Sequence, residues 1–130
     1  MEDEQEELPP KPVKWVGSSR DDLKEFPKDV QRRVGGALWE AQIGQKALYA
    51  KPLKGFGGAG VLEIVDDFDG DTYRAVYTVR FARVVYVLHA FQKKSKRGIA
   101  TPKAELNVIE LRLRRAKEDY DAWQRSGKLK

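Results

Sequence analysis

Between positions 84 and 97 the chain reads VVYVLHAFQKKSKR: an apolar run with the only histidine, His89, then Phe91, then the four cations Lys93, Lys94, Lys96 and Arg97. Imidazole can take or give a proton near neutral pH, and clustered cations can stabilise charge developing on a phosphate. An aromatic ring can stack on an unpaired base. Upstream, Arg74 lies well inside TYRAVYTVRF, a segment that reads as sheet. A cation there needs a reason, either an ion pair with an acid such as Glu63 on the neighbouring strand or a place in the same site. The residues alone leave both questions open: His89 as a hydrogen-bonded core side chain or a site residue, and the stretch as a buried strand with a basic end or a phosphate-handling cleft.

Chemistry of other kinds is excluded more firmly. The chain has 130 residues, enough for one domain, and no cysteine, so disulfides, thiolate metal sites and cysteine nucleophiles are ruled out. GFGGAG at 55–60 matches a dinucleotide pattern, but a strand follows it where that site needs a helix N-terminus. Asp66, Asp67, Asp69 and Asp71 suggest calcium, yet counting from Asp67 puts Gly70 too early and Thr78 where the bidentate glutamate belongs. A single histidine makes a zinc site or a Ser-His-Asp triad a poor reading. No metal or cofactor is therefore expected. The net charge is +5, which divides into a −5 segment over the first ten residues (Glu2, Asp3, Glu4, Glu6, Glu7) and a +10 body. Such a body points to a polyanion, most simply nucleic acid. No apolar run approaches the ~20 residues that span a bilayer, and the acidic start does not read as an export signal, so a cytoplasmic protein without a membrane partner is expected.

The elements that must position these groups follow from periodicity. MEDEQEELPPKP reads as a disordered acidic tail over 1–12, followed by one domain over 13–125 and a short basic tail over 126–130. VKWVG reads as a short strand with Val13 and Trp15 on one face. Ser18 and Ser19, each with an acid three residues on, offer N-caps to a helix. Leu23, Phe26, Val30, Val34, Leu38 and Ala41 form a helical stripe that Pro27 breaks into a short helix and a longer one, with Gly35 and Gly36 weakening the second. A basic, glycine-rich connection spans 48–60.

Strands are expected at Val61–Val65, Tyr73–Phe81 and Arg83–Phe91, the first two joined by the turn-rich DDFDGD, giving a three-stranded meander with its last strand interior. Alternation would put Val85, Val87, His89 and Phe91 on one side of that strand. On its neighbour, Arg74, Val76, Thr78 and Arg80 would share one side, and Tyr73, Ala75, Tyr77 and Phe81 the other. Thr101 and Pro102 read as N-cap and first residue of a C-terminal helix packed through Leu106, Ile109, Leu113, Ala116, Tyr120 and Trp123, with Arg112, Arg114, Arg115 and Lys117 off that line. The sum is an α+β domain: a small antiparallel sheet (N-terminal strand plus meander) packed by an N-terminal helical hairpin and a C-terminal helix.

The order PLKG, VLEI, YRAVY, VYVLHAFQKKSKRGIATP and a long helix, from Pro52 to about Tyr120, resembles the HigB-like branch of the RelE/ParE toxin superfamily. The resemblance implies a RelE-like fold and a metal-independent endoribonuclease: the toxin of a type II toxin–antitoxin pair that cleaves mRNA on the ribosome and inhibits translation. It further implies a helix-turn-helix antitoxin as partner in a hetero-oligomer. Carried over by position, Lys54, Arg74, Lys93 and Lys94 are implied charge stabilisers, His89 and Tyr77 implied proton-transfer groups, and Phe91, Lys96, Arg97 and Lys51 implied RNA contacts. Val65 stands where many relatives carry an arginine. That departure keeps open a ParE-like toxin that binds gyrase without cutting RNA, and a plain RNA- or DNA-binding module.

Overall fold

The structure, a computed structural model, describes residues 8–58, 60–93 and 101–127. Its elements are β1 (Val13–Trp15), α1 (Ser19–Lys24), α2 (Lys28–Gln42), β2 (Ala50–Pro52), β3 (Val61–Phe68), β4 (Asp71–Thr78), β5 (Val85–Lys93) and α3 (Lys103–Arg125). The strands form one sheet in the order β1-β5-β4-β3-β2. The α+β class and the helices expected from periodicity are present, and two features of the sheet differ. First, β1 pairs parallel to β5, with Val13 opposite Val85 and Trp15 opposite Val87, so the sheet is mixed rather than antiparallel. The chain leaves β1 at one edge, crosses a face as α1 and α2, and re-enters at the far edge, a route that no local turn dictates. Second, that re-entry is a strand, β2, where the sequence reads as loop; three residues are too few for a period to declare themselves.

Local chemistry explains the central hairpin. Phe68 faces Asp71, leaving Asp69 and Gly70 as a two-residue loop with φ of 53° and 86°. Both positions are left-handed, as the tight hairpin turn that matches strand twist requires, and Asp-Gly meets that demand. β4 stops at Thr78, whose hydroxyl donates to the Gly60 carbonyl at 2.9 Å. Phe81 therefore lies beyond the strand, and its ring packs 5.0 Å from Tyr120 on the α3 side rather than sharing a face with Tyr77.

The sheet separates two cores. α1 and α2 press Leu23, Phe26, Val30, Val34 and Leu38 onto Leu62, Ile64, Ala75, Tyr77, Val85 and Val87. On the other face, Ile109, Ala116 and Tyr120 of α3 meet Val61, Val76, Tyr86, Leu88 and Phe91. Pro27 and Pro102 precede the first residues of α2 and α3, where the missing proline N–H costs nothing. Thr101, expected as a cap, stands outside the helix and bonds elsewhere. Residues 1–7 of the expected acidic tail and 128–130 at the C-terminus lie outside the described residues; Lys11 exchanges bonds with Gln42 at the end of α2, its N–H to the Gln42 carbonyl at 2.9 Å and its carbonyl from Gln42 Nε2 at 2.7 Å.

A bulge between β4 and β5 decides where the histidine goes. Val76 faces His89 while Tyr77 faces Val87, so Leu88 has no partner of its own in the ladder. One extra residue reverses the alternation beyond it. Val85 and Val87 face α1 and α2, as Ala90 does, whereas Leu88 and Phe91 lie on the α3 side, and His89 joins them there. The expected common face of Val85, Val87, His89 and Phe91 is corrected accordingly.

Candidate nucleic-acid interface

The sheet register assembles two adjacent rows on the α3 face. Lys51, Glu63, Val76 and His89 lie opposite one another across β2 to β5, and one step along lie Val65, Arg74 and Phe91. Lys93 follows, opposite Thr72. Arg74 is only 4% exposed, and its Nη1 donates to Glu63 Oε1 and to Thr101 Oγ1, each at 3.1 Å. The ion pair anticipated with Glu63 is thus present, and Thr101 ties it to the entrance of α3. Removing one member of a buried pair strands the other charge, at a cost of ~3–5 kcal/mol.

His89 is held from three sides. Its ring stacks on Phe91 with centroids 4.8 Å apart, its Nε2 lies 2.6 Å from Glu105 Oε1, and its Nδ1 lies 3.3 Å from Arg112 Nη1. Guanidinium nitrogens only donate, so the consistent assignment has Nδ1 accepting and Nε2–H donating to the carboxylate. Arg112 also donates to the Leu88 carbonyl at 3.0 Å and to Ser18 Oγ at 3.2 Å, and so braces the bulge. Gly17 makes room for it: with φ at 60°, a Cβ there would lie 2.6 Å from Arg112 Nε. Burial lowers the pKa of the Arg112 guanidinium, with neighbouring Arg115 adding to the effect against the pull of Asp22 and Glu105.

The other residues singled out from the sequence scatter. Lys93 is buried at the end of β5, beside the Arg74–Phe91 row. Lys51 is exposed across from Glu63. Lys54, in the turn after β2, lines a neighbouring cleft that shares Thr101 with the cluster. Tyr77 is on the wrong side of the sheet: it is 1% exposed within the α1/α2 core, and its hydroxyl has no hydrogen-bond partner among the described residues. Burial, with Tyr49 adding, pushes that hydroxyl up to about 12, so it is a poor proton donor or acceptor for chemistry beside Arg74. Lys94, Lys96 and Arg97 lie outside the described residues. Among the described residues no three acids or histidines gather as a metal site, and no helix is long and apolar enough to cross a membrane.

Sequence reading missed Glu105, Arg112 and Thr101. Glu105 and Arg112 are seven apart, two helical turns, and so share a face; that spacing is the only local trace of their joint grip on His89.

The model of the family described as phage derived protein Gp49-like (DUF891) matches residues 21–114. The chain belongs to the Gp49-like family. The match runs from α1 into the middle of α3, so every described member of the Arg74–His89 cluster falls inside it. No curated protein sequence matches this Gp49-like chain. Among solved structures, a free-state double arginine-to-alanine mutant of the Escherichia coli toxin RelE is similar in fold, with TM-score 0.52 and 16% identity over 82% of this chain and 97% of that one. The toxin–antitoxin complex RelBE2 of Mycobacterium tuberculosis also matches, with TM-score 0.43 and 21% identity over 65% of this chain and 99% of that one. The Gp49-like chain thus carries a RelE-like α+β fold.

Proposed function

We propose that this Gp49-like chain is the toxin of a toxin–antitoxin pair and a HigB-like endoribonuclease that cleaves mRNA to inhibit translation, acting in the cytoplasm, on the ribosome, until a helix-turn-helix antitoxin covers it. The observation that carries the reading is the convergence, on one face of a RelE-like sheet, of a buried arginine, a buried lysine, an aromatic ring and a histidine–carboxylate pair. A body of net +10 supplies the field that draws RNA to that face.

The chemistry asked of the site is attack of a ribose 2′-OH on the adjacent phosphorus. The 2′ proton leaves to a base, the new P–O bond closes a cyclic phosphate, and the P–O5′ bond breaks with a proton going to O5′. Glu105 has the more exposed side chain of its pair, 32% against 10% for His89, so it is the member that meets a hydroxyl while His89 orients it from behind. Arg74 and Lys93 face the charge building on the phosphoryl oxygens, and Phe91 supports a splayed base.

Mapping of transcript 5′ ends after induced expression tests this. Growth arrest with new ends inside codons, both lost in Arg74→Ala, is expected; arrest without new 5′ ends overturns the ribonuclease reading. One observation favours a second reading: Arg74 is paired with Glu63, and Val65 stands beside it where a second cation would strengthen phosphate binding. A ParE-like protein-binding toxin needs no such cation, and inhibition of purified gyrase in a supercoiling assay would identify it.

A further inference from the structure

Beside the Arg74–His89 cluster lies a cleft of ≈ 610 Å³ between the turn after β2 and the N-terminal half of α3. Its apolar floor is Phe56, Leu106 and Leu113. Asn107 and Glu110 line one wall; three apart on α3, they are surface neighbours ~5–6 Å apart at Cβ. Neither side chain has a hydrogen bond or ion pair among the described residues, although Lys103 and Arg114 line the same cleft. Lys54 stands at the rim, and Thr101, which holds Arg74, closes the end nearest the cluster.

An apolar floor with an aromatic edge, a cationic rim and one amide–carboxylate pair has the composition of a base-reading pocket. Of the four RNA bases only guanine offers two adjacent N–H donors, at N1 and N2, with an acceptor, O6, next to them. A carboxylate takes both donors and an amide NH₂ takes the acceptor. Adenine or cytosine would set a ring-nitrogen lone pair against Glu110, and uracil would offer it one donor flanked by two acceptors. We propose that this cleft is a guanine subsite for single-stranded RNA. Glu110 accepts from N1–H and N2–H, Asn107 donates to O6, Phe56 supports the base, and Lys54 and Lys103 hold the flanking phosphates. Because Thr101 borders both sites, a guanosine seated here places its neighbouring phosphate toward Arg74. The inference rests on the RNA reading above and adds to it the base that is read.

The test uses the complete chain and short uridine-rich RNAs made uncleavable by 2′-O-methylation, each with one central guanine, adenine, cytosine or uracil, in fluorescence anisotropy. A good bidentate base contact discriminates by roughly tenfold or more, so guanine RNA should bind about tenfold tighter than the other three. Glu110→Gln, an exposed change, should reduce that advantage below ~3-fold, with the all-uridine RNA bound no more weakly than by the wild type. Guanosine monophosphate should shift the backbone amide resonances of Phe56, Asn107 and Glu110, where adenosine monophosphate does not. Equal binding of the four RNAs, absence of binding to any, or a guanine preference that survives Glu110→Gln overturns the proposal. Guanine-selective binding without transcript cleavage would sink the ribonuclease reading alone, whereas cleavage indifferent to guanine and to Glu110 would sink this one alone.

Discussion

The two faces of the sheet are built on opposite principles. The α1/α2 face is apolar almost throughout, and the Tyr77 hydroxyl buried in it has no hydrogen-bond partner among the described residues. The α3 face is apolar from Ile109 to Tyr120; around the first turns of the helix it buries Arg74 and His89, with Lys93 buried further along β5. A buried ion pair often holds a fold no better than apolar packing of the same volume, so a face that keeps Arg74–Glu63 and His89–Glu105 is in keeping with the proposed site. On the proposed function, the sheet keeps one face for packing and gives the other both a core and the candidate site. The long C-terminal helix contributes to both, with Ile109, Ala116 and Tyr120 in the core and Glu105 and Arg112 at the candidate site.

Substitutions on the two faces should break or sharpen that division. The largest effect is expected on the charged face: Arg74→Ala should slow RNA cleavage by roughly 100- to 1000-fold, as loss of a charge stabiliser does. The double variant Arg74→Ala with Glu63→Gln, which removes the stranded carboxylate, should restore the wild-type melting curve and leave cleavage lost. Recovery of cleavage along with stability would mean that Arg74 only holds the fold. Next comes the apolar stretch of the same helix, where Ile109→Ala should cost about 2–5 kcal/mol in urea unfolding, because Ile109 is fully buried.

A smaller effect concerns Asp119, which accepts from Lys14 Nζ and Tyr86 OH, each at 2.7 Å. Burial opposes its ionisation, but the Lys14 and Tyr86 bonds outweigh burial and hold its carboxyl below 3.8. A carboxyl lowered by folding stabilises above its unfolded value and loses that contribution as pH falls through the folded one. Wild-type stability should therefore drop below about pH 4 more steeply than that of Asp119→Asn, by an amount that solvent screening keeps small, in melts from pH 6 to pH 2. The smallest effect is expected on the apolar face. Tyr77→Phe should gain up to about 1 kcal/mol by removing an unsatisfied hydroxyl, with cleavage unchanged. A fall in cleavage there would return Tyr77 to the site and undo the contrast between the faces.

What could be read in advance was local. The hairpin turn within DDFDGD, the break at Pro27 and the six-residue stripe of α3 each rest on chemistry within a few positions; the turn is tighter than the segment suggested, since the strands run in to Phe68 and Asp71. Arg74 stood out because an arginine inside a strand is costly, and Glu63 could be named as its partner because a hairpin brings the two strands together. Strand β2 and the parallel seating of β1 were hidden, since three residues carry no period and their neighbours come from distant sequence.

Composition, charge and periodicity by themselves determined a basic α+β domain, its helices, its central hairpin and the class of residues able to handle phosphate. Tertiary structure alone decided which of those residues meet. The bulge at Leu88 turns His89 toward α3, and Glu105 and Arg112 arrive from a helix 16 and 23 residues further on to clamp it, while Tyr77 is sent to the opposite face. The physical reason is that strand alternation is a rule of parity: one unpaired residue reverses it, and only the register with a neighbouring strand records that residue.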